Sequence, residues 1–223
     1  MGLFGIGKKE ETKIEEKKEN KPLEISAIEF DALKETANIG TGHASMALSS
    51  IFKKKVNISL PLLEMTTIND LSSKISAPDE MIVGIYSKIM QGMEGNIITI
   101  ISIDAAVNIT NTFLKEDKKV EDGLSEQDKK LLQKVGTAIY ASYLTSLAKF
   151  FEKKITFEPP NVISTFGSSI HEFLILNQEG TDKLLLIKLG FDIEETTIKG
   201  DFLLLFSSQS LLPLLANIRT KIS

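Results

Sequence analysis

The spacing of apolar positions along the chain changes from one stretch to the next, and those changes mark out its elements. From Asp31 to Ile51, the residues Leu33, Ala37, Ala44, Leu48 and Ile51 recur at helical spacing and predict one long amphipathic helix. A second stripe, Leu132, Val135, Ile139, Tyr143, Leu147 and Phe150, predicts another. Runs dense in Ile, Leu and Phe are expected as strands: Val56–Leu60, Met81–Met90, Asn96–Ile103, Ile155–Glu158, His171–Asn177, Lys183–Ile193 and Ile198–Phe206. Gly95-Asn96 opens an apolar strand that runs into Asp104 and a shorter helix, and Gly200-Asp201 does the same into Ser208. Gly180 and Gly190 stand alone and are expected at turns or strand ends.

The two stripes belong to an internal repeat. A shift of about 99 residues lays Asp31–Pro61 over Lys130–Pro160, so that Leu33 meets Leu132, Leu48 meets Leu147, Phe52 meets Phe151 and Val56 meets Ile155. Lysines follow both long helices, Lys53 to Lys55 in one half and Lys153 with Lys154 in the other, with Glu152 where a third would stand; each cluster is explained as a solvated helix end where cations are favoured. The expected fold is α+β, a pseudo-twofold repeat of long helix, antiparallel strands and shorter helix, forming a largely antiparallel sheet covered by helices. No linker separates the halves, about 25–120 and 121–223, so residues 25–223 are read as one structural domain.

Composition narrows the chemistry. The chain has 223 residues, 42% of them hydrophobic, and a formal net charge of -4. With no cysteine there is no disulfide, thiolate metal site or cysteine nucleophile, and two histidines, His43 and His171, leave little for a metal cage. No cofactor of its own is implied. A single arginine, Arg219, in a mildly acidic chain argues against nucleic-acid binding. No apolar run is long enough for a transmembrane segment, so a cytoplasmic location is expected. Residues 1–24 read as a flexible, charged tail: Lys8 to Lys21 alternates charges around Ile14, the order of charge and apolar residues is the reverse of a signal peptide, and Ile6 stands where a myristoylation pattern needs Ser or Thr. Leu3, Phe4 and Ile6 leave open a docking role for its tip.

On the first long helix Asp31, Glu35 and Asn38 fall within about 60° of one another, away from the apolar stripe. Any amphipathic helix has a solvent-exposed polar face, so the ridge alone proves little. The neighbouring Gly40 and Gly42 add weight, because each costs about 1 kcal/mol of helix stability relative to alanine. Gly42 lies one turn beyond Asn38 on the same side, where a missing side chain lets a partner's backbone approach the amide; Gly40 points nearly opposite and suits internal close packing. His43 reads as a boundary residue rather than a base.

The arrangement D-x3-E-x2-N-x22-P formed by Asp31, Glu35, Asn38 and Pro61, followed by a related half, resembles the CheC/CheX/FliY family, phosphatases of the phosphorylated chemotaxis response regulator CheY. Asn38-Ile39-Gly40-Thr41-Gly42 and Ala47-Leu48-Ser49 look like the CheC helix in particular. The resemblance implies that Asn38 positions a hydrolytic water at an aspartyl phosphate, that Glu35 pairs with a lysine of the partner, that Asp31 adds a weaker charge at the rim, and that magnesium is held by the response regulator. It implies phosphorylated CheY as partner, and extends to the deamidase CheD and flagellar or archaellar motor-switch proteins. The second half departs from the pattern: Lys130, Lys134 and Thr137 stand where the aspartate, glutamate and asparagine should recur, and only Pro160 is kept, so this degenerate site is expected to be inactive. A non-catalytic adaptor is the rival reading. A small-molecule enzyme finds little support, with no phosphate-cradling glycine loop and no serine elbow.

Overall fold

The computed structural model describes residues 25–75, 79–177 and 183–222. The expected tail at 1–24 and the turn expected at Gly180 lie outside the described residues. The chain runs α1 (Ala27–Phe52), β1 (Val56–Thr67), a 3-10 turn (Leu71–Lys74), β2 (Met81–Gln91), β3 (Gly95–Ser102), α2 (Ile103–Leu114), α3 (Glu126–Phe151), β4 (Thr156–Phe157), β5 (Asn161–Phe166), α4 (Gly167–Asn177), β6 (Lys183–Ile193), β7 (Lys199–Ser207) and α5 (Ser208–Ile222).

All seven strands form one antiparallel sheet in the order β1-β6-β7-β3-β2, with β4 and β5 both on the outer side of β2. The pseudo-twofold passes between β3 and β7, where Ile98 faces Leu203. Each half sends its outermost strand to the other: β1 pairs with β6 of the second half, and β4 and β5 pair with β2 of the first. Side chains alternate between two cores, as a pleated strand requires. Ile97, Ile101, Leu204 and Phe206 meet α1, α2, α3 and α5 on one face, while Ile98, Ile100, Leu203 and Leu205 meet Leu71, Ile75 and α4 on the other. Tyr140 of α3 crosses the first core to the sheet, its hydroxyl donating to the Ile85 carbonyl and accepting from the Thr99 amide at 2.9 Å; full burial holds that phenol neutral far above its ordinary range.

The repeat is close in its detail. α1 and α3 each have 26 residues, are offset by 99, start from a capping box (Ser26 with Glu29, Ser125 with Asp128), and end on a residue at φ 53° (Lys53, Glu152). The apolar stripes are the buried ones, apart from Ile51 and Phe150 at their ends, which are half-buried; Phe151 takes the deep position instead.

Three expectations need correcting. His171–Asn177 is the second part of helix α4, not a strand: Ile170 and Leu174, one helical turn apart, bury against the sheet's second face, and a short apolar run does not by itself distinguish the two periods. β1 continues past Leu60 to Thr67, because a register shift between Ser59 and Leu62 lets this edge strand carry Pro61. The corresponding position, Pro160, falls between β4 and β5, so the half-exposed β5 was missed. Gly190 lies inside β6, opposite Ser59 at that same irregularity, rather than at a strand end.

Candidate functional site

α1 sits beside α3 on the first face of the sheet, and the crossing explains one of the two glycines. A Cβ at Gly40 would stand 2.7 Å from the Tyr143 ring, so the helices approach only because none is there. His43 belongs to the same seam: Nδ1 lies 2.5 Å from the Ser146 hydroxyl, and Ser142 donates to the His43 carbonyl at 3.0 Å. Its imidazole is thereby committed to joining two helices.

The opposite side of α1 is open. Asp31, Glu35, Asn38 and Gly42 are all exposed, and a Cβ at Gly42 would meet nothing within 4 Å. Among the described residues none bonds to the Asn38 carboxamide or forms an ion pair with Asp31 or Glu35. Along the helix axis the ridge from Asp31 to Asn38 spans about 10 Å. Beyond Asn38 a shallow groove runs between α1 and the start of β1, lined by Gly42, Ser45, Met46, Asn57 and Ile58. Its floor is pinned by two serines of α1: Ser45 donates to the Val56 carbonyl at 2.5 Å, and the Val56 amide donates to Ser49 at 2.9 Å. Helix and strand thus hold a free amide, two free carboxylates and a side-chain-free notch on one fixed surface. That arrangement can grip a cationic group and present a hydrogen-bonding amide to a docking partner.

α3 presents the pseudo-equivalent surface with its charge reversed. Lys130, Lys134 and Thr137 are exposed there, and Ala141 takes the place of Gly42. The Thr137 hydroxyl turns back onto its own helix, donating to the Gln133 carbonyl at 2.8 Å. Among the described residues no group of three or more His, Cys, Asp or Glu side chains is placed to hold a metal ion, and no helix is long and apolar enough to cross a membrane.

Residues 28–63 match the CheC-like family model, a stretch that carries the whole ridge of α1 and the first part of β1. Over 172 residues the chain is 24% identical to the CheY-P phosphatase CheC of Bacillus subtilis (strain 168), covering 75% of this chain and 82% of that protein. The chain is thus similar to the CheC-like family over the α1 ridge, and to CheC over most of its length. It is also 27% identical over 177 residues to the flagellar motor switch phosphatase FliY of the same organism, covering 77% of this chain but 44% of that longer protein. The X-ray structure of Thermotoga maritima FliY has the same fold, with a TM-score of 0.68 at 18% identity over 89% of this chain and 100% of that one. The CheC-like match stops at Leu63, well before the lysine-bearing surface of α3.

Ile28, Ile39 and Met46 are three large apolar side chains of α1 that are 63%, 43% and 63% exposed; from the sequence Ile28 and Met46 drew no notice, and Ile39 was named only within the run that resembles the CheC helix. The available signal was that none of them falls on the helix's buried stripe.

Proposed function

We propose that this chain is a phosphatase acting on the aspartyl phosphate of a phosphorylated CheY response regulator, working from the single site on α1. What supports the reading is the Asn38 carboxamide, exposed and uncommitted beside Glu35, Asp31 and an open Gly42, in the stretch matched by the CheC-like family model. Phosphoryl transfer needs positioning and charge stabilisation more than covalent chemistry from the protein. Asn38 enters the partner's active site and holds a water in line behind phosphorus, its carbonyl oxygen accepting from that water. Attack forms the new P–O bond as the acyl-phosphate oxygen leaves, regenerating the partner's aspartate and releasing inorganic phosphate. Glu35 pairs with a lysine at the partner's site and fixes the dock, and Asp31 adds attraction at the rim. The magnesium ion of the reaction stays with the response regulator's own acidic residues, and the cytoplasm is the place where such a partner is met.

The test is a phosphate-release time course with phosphorylated CheY from the same cell, with and without CheD. Asn38→Ala should reduce the rate by at least about a hundredfold, as loss of a water-positioning group does, while Thr137→Ala should leave it unchanged. Activity of Asn38→Ala within a few fold of the parent rules out the water-positioning role. The charge-reversed ridge of α3 favours an adaptor as the second reading, one that binds phosphorylated CheY, CheD or a motor-switch component. Tight binding of phosphorylated CheY without phosphate release would select it.

A further inference from the structure

Ile28, Ile39 and Met46 lie on one line. Ile28 and Met46 are 18 residues apart, which is five helical turns, and Ile39 is about 20° from both, so the three form a stripe about 27 Å long down the outer side of α1. The stripe adjoins Glu35 and shares one arc of about 100° with Asp31, Asn38 and Gly42. Met46 also forms a wall of the groove beyond Asn38. A soluble surface leaves single apolar side chains exposed without consequence, but three in register beside a free polar ridge mark a contact surface.

The second half supplies an internal control. Where α1 has Ile28, Ile39 and Met46, the equivalent positions of α3 carry Gln127, Ala138 and Thr145, all exposed. The repeat has kept the helix length, the capping box and the crossing, but α3 has neither the stripe nor the amide ridge.

We infer that the Ile28–Ile39–Met46 stripe is the docking strip for the same response regulator whose phosphate Asn38 addresses, an inference that rests on the reading proposed above. Anything covering the stripe also covers Glu35 and Gly42, so a different occupant would shut the site. A second copy is a poorer fit, since an α1-on-α1 contact about a twofold centred on the stripe would bring the two like-charged Glu35 side chains, each two residues from that centre, near one another. The stripe calls for a partner surface that is apolar at its centre with a cation at its edge, complementary to Glu35. The strip sets affinity, and Asn38 sets turnover.

The experiment replaces Ile28, Ile39 and Met46 together by serine in the full chain and measures phosphate release at varied concentrations of phosphorylated regulator, with direct titration of the beryllofluoride-activated regulator alongside. Since all three side chains are exposed, the variant should keep the parent's thermal midpoint. The expected result is a KM and a Kd raised about tenfold or more, with kcat within about twofold, the opposite of Asn38→Ala, which should lose kcat and keep Kd. Unchanged binding by the serine variant overturns the inference even if the parent is an active phosphatase. If the parent binds the activated regulator but releases no phosphate, the phosphatase reading falls and the titration alone decides the strip. Concentration-dependent dimerisation of the parent that both the serine variant and Lys130→Glu/Lys134→Glu abolish would assign the strip to a second copy and overturn it.

Discussion

Gly40 and Gly42 are two residues apart on α1 and should answer the same substitution in opposite ways. Alanine at either position gains about 1 kcal/mol of helix propensity. At Gly40 the new methyl meets the Tyr143 ring at 2.7 Å in a fully buried seam, and overpacking of about 1–3 kcal/mol outweighs that gain. At Gly42 there is open space, so the gain stands. Urea unfolding should show Gly40→Ala less stable than the parent and Gly42→Ala equal or more stable. On the proposed function, phosphate release should nevertheless fall in Gly42→Ala, because the methyl would occupy the clearance beside Asn38 that a docking partner's backbone would need. A Gly42→Ala protein that is stabilised and fully active would show that the notch serves no partner. The role of Gly40 was legible from its angular position, whereas the residue it accommodates, Tyr143, comes from the other half of the chain.

At the scale of elements, the capping boxes of the two long helices are also the points where the halves are tied together. Glu29 is buried at the start of α1, accepts from the Ser26 amide and hydroxyl, and takes a 2.6 Å bond from Nε of Arg219 on α5. Asp128 at the start of α3 is fully buried, accepts from Ser125 in the same way, and is gripped by Lys118 Nζ at 3.0 and 2.9 Å. In each, burial opposes ionisation, yet the serine bonds and the cation together hold the carboxyl below its ordinary range. A carboxyl depressed in the folded state stabilises the protein at neutral pH, and that contribution is lost as the pH falls through the folded value. Thermal midpoints should therefore hold from neutrality down to about pH 4 and drop below it, and Glu29→Gln with Asp128→Asn should flatten that acid limb. Arg219→Ala leaves a buried carboxylate with one partner fewer and should cost about 1–3 kcal/mol in urea unfolding. The chain's single arginine is a strut between α5 and α1.

For the whole molecule, the exchange of edge strands sets the unit of folding. Residues 25–120 alone would leave β1 without β6, β3 without β7, and β2 without β4 and β5. The isolated first half should therefore show no cooperative thermal transition, though it carries the entire α1 ridge, and should release no phosphate from phosphorylated CheY. A folded, active half would mean that the shared sheet is not required to hold α1.

Periodicity alone located both long helices, most of the strands and the repeat that relates them, because each depends on burial of one face and that pattern is written locally. The polar ridge of Asp31, Glu35 and Asn38 was legible for the same reason, lying on the far side of the buried stripe. The tertiary structure decided what depends on distant partners: that α4 is a helix seated on the second face of the sheet, that the halves trade their edge strands, that His43 is spent on Ser146, and that Arg219 reaches Glu29. It also decided that Ile28, Ile39 and Met46 remain uncovered, since whether an apolar side chain ends up buried depends on what the rest of the chain brings against it.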